Sequence, residues 1–195
     1  MIKAVLFDLG RVLVRLNGYP FQPDWVADPE ASMQVFMAEP CLHAYHCGQV
    51  SESGFINTMH SVLGLAVSHE AFMQHFRHWP DQLLPNALEI VAKVNPQAKK
   101  AVFSNINDSH WAPTMQLGLA GKFDYYFASH RIGHAKPDAA MYTRALRDMG
   151  CKASEVLLVD DTLANINTAK QLGLHAEQVV GTEALTQVLK DYQLL

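Results

Sequence analysis

The sequence predicts an α/β fold, a parallel sheet with helices on both faces, joined to a smaller helical module. Three observations carry this. Short runs of apolar residues recur along the chain at Ala4–Phe7, Ala101–Phe103, Asp124–Ala128 and Val156–Val159. From residue 84 onward each run is separated from the next by a segment with helical spacing, the rhythm of crossover connections in a parallel sheet covered on both faces. Between about residues 30 and 79 the periodicity is helical only. The expected organisation is therefore a core of residues 1–14 and 84–195, interrupted by a helical insert of residues 15–83.

In order, Ala4-Val5-Leu6-Phe7 reads as a strand buried on both faces, with strand character lasting to Val14. Tyr19-Pro20, Gln22-Pro23 and Asp28-Pro29 mark a loop. Three helices follow. Ala31–Met37 carries Met33, Phe36 and Met37. Ser53–Leu63 follows Ser51 as its cap, and the third opens at Ser68 with Phe72, Phe76 and Trp79 along it. Further helices are expected at Pro85–Val94, Ser109–Leu117, Ala139–Met149, Thr162–Leu172 and Glu183–Tyr192, with a last strand near His175–Val180. Gly118, Gly150 and Gly173 stand where the helices before them should stop.

Composition narrows the function classes. Of the 195 residues, 49% are hydrophobic and 17% charged, enough for a packed core and too little charge for disorder. A formal charge of −4 argues against a nucleic-acid partner. No apolar run is long enough to span a bilayer, so no membrane role is expected. Three cysteines make no disulfide framework, and strand pattern begins at residue 2 without a signal-peptide cleavage site. A cytoplasmic location is the expectation.

The chemistry sits at strand ends. Asp8 follows the first strand, Ser104-Asn105 the second, Lys136 the loop after the third, and Asp160-Asp161 the fourth. A parallel sheet aims all of these carboxyl ends at one crevice. Three carboxylates crowded there repel one another and favour a divalent cation, and an all-oxygen donor set suits Mg²⁺ better than Zn²⁺. Mg²⁺ typically shares its shell with a substrate phosphate. Lys136 and the Ser104 hydroxyl would hold remaining phosphate oxygens, the N–H groups of Leu9 and Gly10 would approach the phosphoryl closely, and Asp8 would be the nucleophile.

Asp8 after an apolar strand, Ser104-Asn105, Lys136-Pro137 and Asp160-Asp161 with Asn165 resemble, in order and spacing, the four motifs of the haloacid dehalogenase superfamily of phosphohydrolases. The resemblance covers essentially the whole chain. It is closest to small bacterial sugar-phosphate phosphatases whose first motif reads D-L-G. It implies a Rossmann-like core, with the helical insert as a C1-type cap. It also implies that Asp8 and the Gly10 carbonyl ligate the metal together with Asp160 and Asp161, and that Asn105 joins Ser104 and Lys136 around phosphate. The implied activity is a Mg²⁺-dependent phosphomonoesterase working through an aspartyl-phosphate on a small soluble phosphate ester, a sugar phosphate first. Two alternatives are a hydrolytic dehalogenase of the same superfamily and a weakly active phosphate-binding regulatory protein.

One departure bears on mechanism. Most phosphatases of the superfamily carry a second Asp two residues after the nucleophile as general acid and base, where this chain has Gly10. Arg11 and Arg15 also stand where the D-L-G relatives tend to have Asn and Asp. Either could meet a second anionic group or be a solvated charge. Cys41, His43, His46 and Cys47 invite a zinc reading, but the spacing fits no standard finger, and a helix-to-turn segment facing the crevice explains them better. His60, His69, His75 and His78 are expected on cap surfaces, while His134 is the candidate for acid–base help.

Overall fold

A computed structural model describes all residues 1–195. Its centre is a five-stranded, all-parallel sheet made of β1 (Ala4–Phe7), β4 (Lys99–Ser104), β5 (Tyr125–Ala128), β6 (Val156–Asp160) and β7 (His175–Gln178). The spatial order is β5-β4-β1-β6-β7, so β1 is central between β4 and β6. All four β1 residues are fully buried, as a strand covered on both faces must be. Two buried clusters lie on the sheet's two faces. Val5, Phe7, Val102, Leu157 and Val159 share one with α5 (Ala87–Lys93) and α10 (Gly181–Asp191). Ala4, Leu6, Phe103, Val156 and Leu158 share the other with α8 (Ala139–Met149) and α9 (Leu163–Gln171). The alternation along β1 assigns successive residues to opposite faces.

A third cluster lies within residues 21–79 and is largely aromatic: Phe21, Phe36, Phe55, Phe72, Phe76 and Trp79 meet there. The helices supplying it are α1 (Pro29–Ala38), α2 (Pro40–His46), α3 (Glu52–Leu63) and α4 (His69–Arg77). Asp28, Ser51 and Ser68 cap α1, α3 and α4 through side-chain oxygens. The structure adds what the periodicity did not reveal: β3 (Pro80–Leu83) pairs antiparallel with β2 (Val14–Leu16), so a two-stranded ribbon links this module to the sheet. Arg15 is spent on that ribbon, donating from Nε to Asp81 Oδ1 at 2.9 Å and pairing again through its terminal nitrogen.

The helical module is clamped onto the sheet layer by α2 and the turn after it. Ser129 Oγ donates to the His46 carbonyl at 2.6 Å, and Tyr45 and Ser109 join their hydroxyls while Ser109 also donates to Glu52 Oε2 at 2.8 Å. Gly48 has φ +68°, and a Cβ there would lie 2.6 Å from the His130 carbonyl oxygen. Only glycine permits both that conformation and that approach. No helix is long and apolar enough to cross a membrane.

Candidate active site at the strand ends

Because β1, β4 and β6 are adjacent and parallel, Asp8, Ser104 and Asp160-Asp161 leave the sheet along one edge, as expected from the sequence. Lys136 reaches the same place from the loop that follows α7 (Ser129–Ile132). Together with groups from the helical module they line a crevice of about 480 Å³.

Lys136 is the hub. Its Nζ donates to Asp8 Oδ1 at 2.8 Å, Asp160 Oδ2 at 2.6 Å and the Phe103 carbonyl at 2.8 Å, which uses all three ammonium hydrogens. Burial works against its charge, but the Asp160 and Asp8 carboxylates overcome this and hold the ammonium above the ordinary lysine value. Burial also raises the Asp8 carboxyl to about 6; Lys136 pulls it down, while Asp160 and Asp161 push it up.

Asn105 fixes this lysine. Its amide is a two-point clamp on the Lys136 backbone, Nδ2 donating to the carbonyl and Oδ1 accepting from the N–H, both at 2.8 Å. The resemblance placed Asn105 around phosphate. With both ends of the amide engaged, such a contact falls to its backbone N–H, which, like those of Leu9 and Gly10, donates to no acceptor within the protein. The Ser104 hydroxyl also has no partner and lines the crevice.

The three carboxylates lie within 4.8 Å of one another, an arrangement of oxygen donors that fits a hard divalent cation. They are not equivalent. Asp160 is fully buried, and its oxygens accept from Lys136, from Asn165 Nδ2 at 2.9 and 3.1 Å and from the Thr162 N–H at 2.8 Å. Asp8 has one oxygen without a partner. Asp161 is half-buried and meets Arg11 at 3.1 Å and the Thr162 hydroxyl at 3.0 Å. The Gly10 carbonyl accepts no hydrogen bond within the protein. One Asp8 oxygen and the Gly10 carbonyl are free of protein partners, whereas both oxygens of Asp160 and of Asp161 already accept hydrogen bonds.

The turn after Asp8 is closed by the backbone. The left-handed residue is Arg11, at φ +60°, not Gly10. The N–H groups of Val12, Leu13 and Val14 converge on the Leu9 carbonyl at 3.2, 2.9 and 2.8 Å, which closes the loop. A Cβ on Gly10 would meet only the Leu16 side chain, at 3.5 Å.

The histidines are also redistributed. His134 Nδ1 donates to Asp138 Oδ2 at 2.7 Å on an exposed surface and does not line the crevice. His43 and His46 on α2 do, where the helix-to-turn reading put them. His43 Nε2 lies 3.7 Å from Cys47 Sγ, and no metal-sized cluster forms from the Cys41–Cys47 segment. Desolvation lowers His46 to about 3, with His110, His43 and His130 adding repulsion. His110, which no motif or spacing singles out, is buried beside the crevice. Its Nε2 faces the Phe76 carbonyl at 2.7 Å and its Nδ1 faces Asn107 Nδ2 at 3.2 Å. His69 and His78 are on the surface as expected, whereas His60 and His75 are half-buried.

Comparison with known proteins completes the picture. Drimenol cyclase drtB of Aspergillus calidoustus is 26% identical over 187 residues, 90% of this chain, which spans about a third (34%) of that relative's length. Sesquiterpene phosphatase astK of Aspergillus oryzae is 26% identical over 181 residues, covering 88% of this chain and 87% of the relative. Among solved structures, a HAD family enzyme of Bacteroides thetaiotaomicron in complex with magnesium and inorganic phosphate superposes with a TM-score of 0.81 at 20% identity, over 96% of this chain and 99% of that one. That likeness speaks to the fold. Residues 2–173 match the haloacid dehalogenase-like hydrolase model, and the chain belongs to that family.

Proposed function

We propose that the protein is a phosphomonoesterase that uses Asp8 as nucleophile, with residues 15–83 as a cap over the crevice and Mg²⁺ as its cation. The observation that carries this is Asp8 itself: one carboxylate oxygen is held by Lys136, the other is free, and unpartnered N–H groups of Leu9, Gly10 and Asn105 surround the same strand ends. The phosphatase names of two relatives, one acting on a sesquiterpene and one on ribulose-1,5-bisphosphate by those names, and the magnesium and phosphate of the structural neighbour support the reading.

The free Asp8 oxygen attacks phosphorus, the bond from phosphorus to the ester oxygen breaks, and an aspartyl-phosphate remains. The Ser104 hydroxyl and the three N–H groups hold the phosphoryl oxygens as their charge develops, and the Lys136 ammonium, its hydrogens already engaged, adds positive charge beside them. Asp8, Asp161 and the Gly10 carbonyl would hold the cation, which neutralises phosphoryl charge when bound. Asp160 and Asn105 are positioning residues, one for the Lys136 ammonium and one for its backbone. Water then attacks phosphorus, releases inorganic phosphate and restores Asp8.

Gly10 can neither give nor take a proton, so the leaving oxygen and the attacking water exchange protons with other groups. His43 and His46 are the ionisable side chains that the cap brings to the crevice. Burial keeps the His46 ring neutral and makes it a weak base, so it can accept a hydrogen bond at the crevice but holds a proton poorly.

The substrate's organic half was expected from the sequence to be a sugar. As a small phosphate ester, a sugar phosphate fits the crevice by size, 480 Å³ being within the range of small-molecule sites. The test is Asp8→Asn assayed on 4-nitrophenyl phosphate with Mg²⁺ and with chelator. Turnover should vanish in the variant, and in the parent with chelator, while folding is retained. Activity above about a hundredth of the parent rate in the variant would overturn the nucleophile assignment. Haloacid turnover undiminished by chelator would replace the reading with dehalogenation.

A further inference from the structure

We infer that the organic half of the substrate is an aliphatic hydrocarbon, so that the protein acts on phosphate monoesters of apolar alcohols rather than on sugar phosphates; this rests on the phosphomonoesterase reading above. The crevice has two unlike halves. Its floor is polar, with Asp8, Ser104, Lys136 and Asp161 at the strand ends. Residues 15–83 contribute eight side chains to the lining, and six of them are apolar: Leu16, Met33, Met37, Leu42, Trp79 and Pro80.

The polar atoms in that roof are few and partly spent. Trp79 donates its indole N–H to the Gly18 carbonyl at 3.2 Å, so it offers the crevice a ring and no hydrogen bond. His43 and His46 remain, and neither carries more than one donor while neutral. A sugar brings several hydroxyl groups, each a donor and an acceptor. Every hydroxyl enclosed without a partner weakens binding by roughly tenfold. A hydrocarbon asks for no partner and gains from each methylene removed from water.

The arrangement of α1 points the same way. Met33 and Met37 are four residues apart and share one helix face, while Phe36 turns into the cap's own core at 0% exposure. Met37 is 56% exposed, an apolar side chain at the crevice with no core to occupy. Methionine's unbranched, polarisable chain moulds to a flexible aliphatic ligand.

The experiment measures binding of unreactive phosphonates to the whole protein with Mg²⁺ by calorimetry, alongside turnover of 4-nitrophenyl phosphate. Ethyl, butyl and hexyl phosphonate should bind with affinity rising about fourfold per methylene. A polyhydroxylated phosphonate of hexyl length should bind no better than the ethyl compound. Combining Met33→Ser with Met37→Ser should flatten the rise. Affinity that does not change with chain length, or a polyhydroxylated ligand that matches hexyl phosphonate, overturns the inference while aryl phosphate turnover leaves the phosphomonoesterase reading standing. No binding by any phosphonate and no turnover would overturn both.

Discussion

Lys136→Met separates the charge of the hub from its volume. Methionine follows much of the lysine stem, so packing around Phe103 is nearly retained and the loss is electrostatic. What disappears is the one cation between two buried carboxylates, Asp8 at 7% exposure and Asp160 at 0%. Breaking a buried pair by removing one partner costs about 3–5 kcal/mol, because an uncompensated charge stays behind. In a chain of this length that lowers Tm by roughly 6–20 °C. Asp160→Asn in the same chain removes one of the stranded charges and should recover about half of the loss, a coupling of about 0.5–3 kcal/mol. The assay is urea unfolding of the parent, both single variants and the double variant, in chelator so that no cation stands in for the ammonium. If Lys136→Met costs less than about 1 kcal/mol, or the double variant is no more stable than Lys136→Met alone, the ammonium is not what reconciles the two carboxylates.

Other consequences follow from neighbouring residues. Gly10→Asp should raise kcat/KM on esters with poor leaving groups by up to about 10²-fold and leave activated aryl esters little changed; neither a left-handed φ nor a close neighbour opposes it, since only Leu16 lies near, at 3.5 Å. A uniform fall across a leaving-group series would show that another residue already supplies the proton. Burial holds His110 near 4 against 6.5 unfolded, and its neutral ring donates to the Phe76 carbonyl while accepting from Asn107. The unfolded chain therefore takes up a proton that the folded chain refuses, and stability complete above pH 6.5 is lost as pH falls toward 4, by up to about 3 kcal/mol. His110→Gln should shrink that pH dependence in urea unfolding without abolishing it, because His46 is shifted further still; identical acid sensitivity in both proteins would contradict this. Gly48→Ala sets a methyl against the His130 carbonyl and strains a φ of +68°, so it should cost about 1–2 kcal/mol from backbone conformation alone and more from the clash, read as a fall in Tm.

Much of this protein is legible in the order of its residues. Four-residue apolar runs such as Ala4–Phe7 and Val156–Val159 read as strands covered on both faces, and the helical spacers between them point to a parallel sheet. A parallel sheet puts every carboxyl end on one edge, so Asp8, Ser104, Lys136 and Asp160-Asp161 were brought together by topology that local pattern already specified. The helix caps at Ser51 and Ser68 are equally local, since a serine hydroxyl reaches an N–H three residues on.

The rest depends on partners far along the chain. Residues 80–83 have no strand signature, and Pro80–Leu83 becomes one only because β2 offers a ladder 66 residues earlier, as the Arg15–Asp81 pair records. Motif spacing treats Asp160 and Asp161 alike, yet the first is enclosed behind Asn165 and Lys136 while the second is half-buried at the crevice, paired with Arg11. His134 and His46 are also indistinguishable as letters. The sequence places His134 two residues from Lys136, but its loop turns it outward to Asp138, while Ser129 and Gly48 dock α2 so that His46 faces the crevice from 90 residues away. Periodicity reports which face of an element is apolar. Which surface that face then meets is set by contacts across the chain, and the chemistry of the crevice is decided there.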